Sequence, residues 1–561
     1  MMLTLHDPQQ ARAYYLDATW QQDTLFTLLC QHAESRPSCV ALRDPYNRLA
    51  WSEVLAQVER VAVSLHRAGL TRGDRVAIWL PNRIESVIIF LACSRNGYVC
   101  CPSLHQSYTS GEVVTLLKRI RCKALFTTPG YGADAQSLSI YDQLDEVTTL
   151  KQVYTLNSPH TDPSAVPAGS IPYPTHHEST VVMPPIDLNP DKIVYLAFTS
   201  GTTGLPKGVM HSDNTLLANG RSLVSDWKHN ENTIVLSMSP LSHHIATVAI
   251  EQWLVAGMEL VVPNAASGKK PVDWIIETGA TYVIGVPTHA MDILDDLRAR
   301  DLKSLGQVDC FYMAGSPIPR DVAETFVKLG IRPQNVYGMT ENGSHQSTRP
   351  SDSIAVTVAT CGHACKGYEV RLFHPENPNL EMPIGEIGEI ASRGALLMLG
   401  YYDDQRASED SFNATGWFLS GDLGRFDEHG CLEIVGRKKD LIIRGGHNIH
   451  PAHIEDLAHR HPDIAKAAAF PIADERLGER VCLGVISRST ARLDALEILS
   501  HLHDVGLSKY DMPEYFIQLD AFPLTASGKI LKRELKTMAE TGQISPVSTR
   551  WTASKTEDNQ T

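Results

Sequence analysis

Residues 199–208, Thr-Ser-Gly-Thr-Thr-Gly-Leu-Pro-Lys-Gly, concentrate the residue types from which an anion site is built. Glycines at 201 and 204 let backbone N–H groups close on an anion, while the hydroxyls of Thr199, Ser200, Thr202 and Thr203 donate hydrogen bonds. Lys207 adds one cation. The run follows an apolar strand-like stretch, and a helix is expected after it, an arrangement that turns N–H groups and a positive dipole end towards phosphate. The spacing is not that of a Walker loop, which needs G-x-x-x-x-G-K-[ST]. The other Gly-Lys pairs, at 268–269 and 528–529, lack the upstream glycine and the following Ser or Thr. A P-loop NTPase is thereby excluded. Taken alone, such a loop is equally a flexible surface turn.

The elements that would position this loop are legible in outline. At 561 residues the chain exceeds one ordinary core, and two to four domains are expected. Apolar runs at 75–81, 122–128, 192–198, 233–239, 257–263, 281–287 and 310–315 alternate with helical stretches such as 84–97 and 110–120. Near-continuous apolar strands separated by helices imply parallel sheets covered on both faces. A Ser-, Pro- and His-rich stretch over 157–180 reads as a surface linker. After about residue 385 the strands shorten, and Asp427–Gly430 marks a hairpin turn. A smaller α+β unit follows from about 440. The polar end of the chain, 541–561, is expected to be disordered.

Composition narrows the function class. A formal net charge of −14 disfavours nucleic acid, which demands a surplus of Lys and Arg. The first residues show no basic segment leading into an apolar one, and no apolar run reaches about 20 residues. A cytoplasmic protein without a transmembrane segment is expected. The 11 cysteines form no C-x-x-C pair and read as reduced thiols, the adjacent Cys100 and Cys101 included. No G-x-S-x-G elbow or H-E-x-x-H pair is present. The histidine-rich run 447–461 matches no assisted metal spacing and reads as a solvated helix.

The loop string, followed in order by "NVYGMTE" (335–341), "GWFLSGDLG" (416–424), "GRKKDLIIRGGHNIHPAHIE" (436–455) and "PLTASGKILKREL" (523–535), resembles the adenylate-forming superfamily. That superfamily holds acyl-CoA synthetases, peptide-synthetase adenylation domains and luciferases, and the resemblance spans roughly residues 20–540. It implies an α/β fold: a large N-terminal domain of layered, mostly parallel sheets with a small distorted barrel (1–438), then a small mobile α+β domain (439–540). It also implies ATP and Mg2+ as cofactors, with CoA or a carrier-protein phosphopantetheine as acceptor.

Residue by residue, the resemblance assigns Thr199, Ser200, Gly201, Thr202, Thr203, Gly204 and Lys207 to phosphate. Gly315, Ser316 and Pro317 would wall the adenine, with Asn335, Tyr337 and Gly338 beside them. Tyr337 offers a ring to a purine, Thr340 a hydroxyl to the α-phosphate or acyl carboxylate, and Glu341 a carboxylate to magnesium. Asp422 would accept from both ribose hydroxyls, as acidic residues do in dinucleotide folds, with Arg437 beside it. Lys529 would be the catalytic lysine, bridging carboxylate and α-phosphate. Lys532, Arg533 and Lys536, just beyond it, read as a basic helix face. Lys439 would be the hinge about which the small domain rotates between half-reactions, bringing Gly445, Gly446 and His447 towards the thiol.

The acyl pocket is expected from 239–250, with His243 at the gate near the carboxylate, His244 as its alternative, and a core histidine also open. Gly285, Gly338 and Met339 would complete it. No aspartate lies between Ser237 and Glu251 to pair with a substrate ammonium. An amino acid is therefore not expected, and the apolar and small residues near 285–290 and 338–339 favour an uncharged acid; the segment resembles those of alicyclic, aryl and medium-chain ligases, which implies an acid of that class. Acid–CoA ligation leads, with loading of a carrier protein as the alternative. A luciferase-type oxidation would need a luciferin. A non-catalytic relative would have no need of intact Thr199, Glu341, Asp422 and Lys529.

Overall fold

A computed structural model describes residues 4–5, 7–157, 166–175, 183–199, 206–264, 267–524 and 530–550. The chain divides into two compact units, one of residues 1–318, 322–370 and 392–418, the other of 319–321, 371–391 and 419–561.

The first unit contains two large sheets. In one of seven strands, the order is Ile171–Pro172, Gln152–Thr155, Ala124–Thr127, Arg75–Trp79, Val99–Cys101, β1 (Ile193–Thr199) and β2 (Lys207–Ser212). All neighbours are parallel except the last pair, which is an antiparallel hairpin. Helix α1 (Asp213–Trp227) follows β2 directly, opened by a Ser212 capping box with Thr215.

The nine-stranded sheet has six parallel strands at its centre. These include β3 (Ile234–Ser237), β4 (Tyr282–Gly285), β5 (Cys310–Ala314) and β6 (Arg332–Met339), with β7 (Gly343–Ser347) antiparallel beyond β6. Helix α2 (His244–Ala256) connects from β3. The strands are apolar throughout because both faces are covered. Tyr282, Ile284, Tyr312 and Val336 join the core that includes Leu216, Leu217 and Ala249 of α1 and α2. Val283, Phe311 and Met313 point to the opposite side, into a core with Ile275, Ile293 and Phe326. Every apolar run named above as a strand is one, within a residue or two at the ends.

In the second unit lies most of a five-stranded sheet, which holds the shorter strands expected after about 385 and two that precede them, Tyr368–His374 and Asn377–Glu381. Its hairpin β8 (Phe418–Phe426) and β9 (Leu432–Arg437) turns at Asp427–Gly430, as the sequence indicates. The C-terminal part is an α+β sandwich: a long hairpin, Ile464–Asp474 with Gly478–Ser487, extended by Tyr515–Gln518 and covered by Pro451–His459 and Ala495–Asp504. The tail departs from the expectation of disorder at its start. Val547 and Ser548 pair with Phe516 and Tyr515, because the edge of that sheet offers backbone partners that composition does not reveal. Cys100 and Cys101 are buried separate thiols. Among the described residues, no helix is long and apolar enough to cross a membrane.

Candidate active site

The carboxyl edge of the nine-stranded sheet gathers the expected residues. Ile284, Tyr312 and Gln334 stand at one level across β4, β5 and β6. The segments just beyond that level, 237–244, Gly285, 315–317 and 337–341, therefore emerge along one edge. Ligands of open α/β sheets bind outside the carboxyl ends of the strands. Gly315, Ser316 and Pro317 are exposed there, over an otherwise buried strand end.

The Thr340–Glu341 turn is the most tightly built part. Met339 N–H donates to Asn342 Oδ1 at 3.0 Å, and Asn342 N–H returns to Met339 O at 3.2 Å. A Cβ on Gly338 would stand 1.8 Å from Gly343 O, and Gly343 itself has φ +61°. Both positions therefore demand glycine. Glu341 is nearly buried, and its Oε1 accepts from the Tyr401 hydroxyl at 3.0 Å. Its carbonyl accepts from Met398 N–H at 2.7 Å.

The phosphate loop departs from the expected strand–loop–helix. Thr199 and Lys207 face each other across a hairpin, so the loop returns into β2, and α1 begins only at Asp213. The run Lys207–Ser212 pairs as a strand because its free edge is sewn to 399–402: Leu399 N–H donates to Met210 O, Met210 N–H to Gly400 O and Tyr402 N–H to Gly208 O. The loop's cation, Lys207 Nζ, lies 4.5 Å from the centre of the Tyr401 ring. Tyr401 thus joins the loop hairpin to the Glu341 turn. Ser200, Gly201, Thr202, Thr203 and Gly204 lie outside the described residues, as does Lys529.

A second link between the same two segments is His211. Its Nε2 is 2.7 Å from Thr340 O and its Nδ1 is 3.0 Å from Thr215 Oγ1. A carbonyl only accepts, so Nε2 carries the hydrogen and Nδ1 takes the Thr215 hydroxyl. Burial pushes this imidazole down to about 4, which keeps it neutral. Its ring lies parallel to that of His244, 5.5 Å away, and His244 Nδ1 is 3.3 Å from the Tyr195 hydroxyl. Burial, and then His211, push His244 down to about 3.

The two gate histidines therefore diverge. His244 turns into this buried network, while His243, at the start of α2, stacks on His105 with ring centres 4.2 Å apart. His105 Nδ1 holds Ser242 Oγ at 2.9 Å, and burial beside His243 pushes it down to about 3. Gly285 ends β4 against His289, whose Nδ1 accepts from Val286 N–H at 3.3 Å.

Two assignments are placed differently. Met339 packs against Val209, Met398, Tyr401 and Phe418, on the Lys207 side rather than in the acyl group. Asn335 Nδ2 donates to Thr357 O at 3.0 Å and Thr360 O at 2.9 Å, which commits both amide hydrogens to pinning that loop. Tyr337 is buried, with its ring edge-on to His345 at 5.3 Å.

The second unit brings its own pair together. Asp422 and Arg437 are direct cross-strand partners of β8 and β9, and Arg437 Nε donates to Asp422 Oδ1 at 2.9 Å. Glu389 braces the pair's flank: its Oε2 takes Lys438 Nζ at 2.9 Å and its Oε1 takes Gly421 N–H at 3.2 Å. Lys439 is exposed in a short 3-10 turn, Lys438–Asp440. Gly445 and Gly446 form a two-residue hairpin turn with φ of +58° and +85°, the left-handed pair that favours glycine. His447 Nε2 lies 2.8 Å from Asp511 Oδ1. Lys532 and Lys536 are ion-paired with Glu455 and Glu479, in keeping with a structural helix face.

His211 and Tyr401 escape a reading of the sequence alone. Both lie in strand-like apolar surroundings, and their significance is a contact 129 residues away in one case and 60 in the other.

Comparison with known proteins places the chain in a family. Residues 29–402 match the AMP-binding enzyme family, and 453–529 match the AMP-binding enzyme C-terminal domain. The chain belongs to the AMP-binding enzymes, within the adenylate-forming superfamily, and to its AMP-forming acyl-CoA ligase family. It is 29% identical to the medium-chain fatty-acid–CoA ligase of Escherichia coli (strain K12), over 95% of this chain and 93% of that protein. It is equally 29% identical to a 2-hydroxy-7-methoxy-5-methyl-1-naphthoate–CoA ligase of Streptomyces carzinostaticus, over 95% of this chain and 96% of that one. The crystal structure of ATP-bound MatB from Rhodopseudomonas palustris is similar with a TM-score of 0.80 at 28% identity, covering 92% of this chain and 99% of that one.

Proposed function

We propose that this enzyme joins an uncharged alicyclic, aryl or medium-chain carboxylic acid to CoA at the expense of ATP. The observation that carries this is the convergence of Lys207, from the seven-stranded sheet, with Tyr401, Glu341 and the Thr340 turn at the end of β6, in the order the adenylation motifs require. In the first step a carboxylate oxygen attacks the α-phosphorus of ATP and pyrophosphate leaves. In the second a CoA thiolate attacks the acyl carbonyl and AMP leaves. No covalent enzyme intermediate is needed, so the side chains position groups and stabilise charge.

In this reading Thr340 and Lys529 bind the reacting carboxylate and phosphate, and Lys207 with Thr199, Ser200, Gly201, Thr202, Thr203 and Gly204 holds the outer phosphates. Asp422, oriented by Arg437, takes the ribose hydroxyls. Gly315, Ser316 and Pro317 line the base. Glu341 fits a magnesium ligand: its carboxylate, held by the Tyr401 hydroxyl, is a hard oxygen donor, and magnesium commonly takes one or two carboxylates plus phosphate. Bound there, the ion would neutralise charge on the phosphates. Lys439 is the proposed hinge, and Gly445, Gly446 and His447 the thiol side.

The two ligases above are named for a fatty acid and a naphthoic acid, which supports CoA as acceptor and leaves the acid class broad. The test is pyrophosphate release over a panel of carboxylic acids, each with CoA or a phosphopantetheinylated carrier protein. Acid-dependent release with acyl-CoA formation supports the reading. Product only on the carrier protein would assign the enzyme to carrier loading instead.

A further inference from the structure

Between α1, α2 and the face of β5 and β6 lies a layer of buried polar groups that the reaction does not use. Glu251 of α2 is fully buried, and neither carboxyl oxygen has a hydrogen-bond partner. Asn219 of α1 gives its Oδ1 to Ser344 N–H at 2.6 Å, but its buried Nδ2 has no partner. Gln334 of β6 accepts the Tyr282 hydroxyl at 3.1 Å, and its Nε2 too is buried without a partner.

These groups are contiguous. The Ser344 hydroxyl meets the Tyr312 hydroxyl at 2.7 Å, Tyr312 pairs directly with Gln334 across β5 and β6, and Glu251 is near enough for its charge to act on Tyr312. Gly220, next to Asn219, packs against the Glu251 backbone. A buried donor or acceptor that nothing meets is destabilising, because it has given up its water without a replacement. Three in one layer, one each from two helices and a strand, are the mark of something that fills it.

We infer that this layer is the polar floor of the acid site, and that it receives a neutral oxygen, a hydroxyl or carbonyl borne by the acid remote from its carboxylate. The inference rests on the ligase reading above and narrows its substrate class. Placement supports it. Helix α2 starts at the His243 gate, and Glu251 sits two turns along it, roughly 10 Å from its first residue. Chemistry selects the ligand. Burial alone acts on Glu251, raising its carboxyl well above the usual range, and no cation offsets it. It is therefore a neutral acid that both donates and accepts, flanked by two amide donors. That set complements an oxygen with lone pairs. It does not complement a second carboxylate, which would need a cation, or a bare alkyl end, which would leave all three groups unpaired.

The test compares paired acids of one skeleton, benzoate with para-hydroxybenzoate and octanoate with omega-hydroxyoctanoate, as substrates for pyrophosphate release. The full-length enzyme is expected to favour the hydroxylated member of at least one pair by about tenfold or more in kcat/KM. Glu251→Leu should bring that ratio to about one, while Glu251→Gln, which keeps a donor and an acceptor in the same shape, should retain it. Equal or better use of the plain acid in both pairs, unchanged by Glu251→Leu, would overturn the inference and leave water as the occupant. If no acid releases pyrophosphate, the ligase reading fails, and melting temperature then decides. Stabilisation by a hydroxylated acid that vanishes in Glu251→Leu supports a polar floor, and no such stabilisation overturns it.

Discussion

His211 donates its only imidazole hydrogen to the carbonyl of Thr340 and takes the Thr215 hydroxyl on its other nitrogen, so the residue that presents Thr340 is fixed by a side chain from the strand that carries Lys207. Removing that donor should misplace Thr340 without emptying the nucleotide site. His211→Leu is expected to lower kcat for acid-dependent pyrophosphate release roughly 10- to 100-fold with the KM for ATP little changed. His211→Gln, whose amide can donate to the same carbonyl, should recover most of it. Because burial holds the imidazole near 4, the pH–rate profile above about 5 should be the same in His211→Gln and the parent. Equal losses in both variants, tracking a fall in melting temperature, would reduce His211 to a packing residue. Asp422 should behave in the opposite sense. Asp422→Ala is expected to raise the KM for ATP by about tenfold or more, through loss of charge-assisted bonds to the ribose. An unchanged KM would remove the ribose assignment.

At the scale of elements, the short exposed turn Lys438–Asp440 follows the strand that carries Arg437. Proline at 439 fixes one φ angle yet is tolerated in the first turn of a helix. Lys439→Pro should therefore spare adenylation and slow thioester formation, and equal impairment of both half-reactions would exclude 439 as the hinge. Elements were the part most legible in the sequence. The parallel strands are continuous apolar runs between helices, and the Asp427–Gly430 turn is written in its residues. What stayed hidden was set by contacts distant in sequence. Lys207–Ser212 pairs with β1 in a hairpin and has its other edge closed by 399–402, and Val547–Ser548 joins a sheet edge within a polar tail. Asn335 stands inside a site motif but is committed to the Thr357 and Thr360 carbonyls, which no local pattern announces.

Over the whole molecule, six histidines of the first unit, the buried His211 and His345 and the half-buried His105, His229, His244 and His289, are pushed down to about 3 or 4 by desolvation. Unfolding restores their ordinary value near 6.5, so the unfolded chain binds more protons below that pH. The stability these neutral rings supply is present above 6.5 and is lost as pH falls towards 4, by several kcal/mol per pH unit if all six titrate together. Glu251 acts in the opposite direction, as do Asp44, Asp213, Asp226 and Glu455, since carboxyls raised by burial stabilise the fold at low pH. The six rings together lose stability across the whole window, so the melting temperature should fall between pH 6.5 and pH 4.5, and a rise there would show that the rings are not held neutral.

The central claim is that this chain makes an acyl-adenylate and then hands the acyl group to a thiol. Lys529→Ala, assayed in the two half-reactions separately, tests it most directly. Acid-dependent pyrophosphate release should drop by about 100-fold or more, while conversion of a supplied acyl-adenylate and CoA to thioester and AMP stays within a few-fold of the parent. Pyrophosphate release undiminished by the substitution, or equal loss of both half-reactions, would contradict the account.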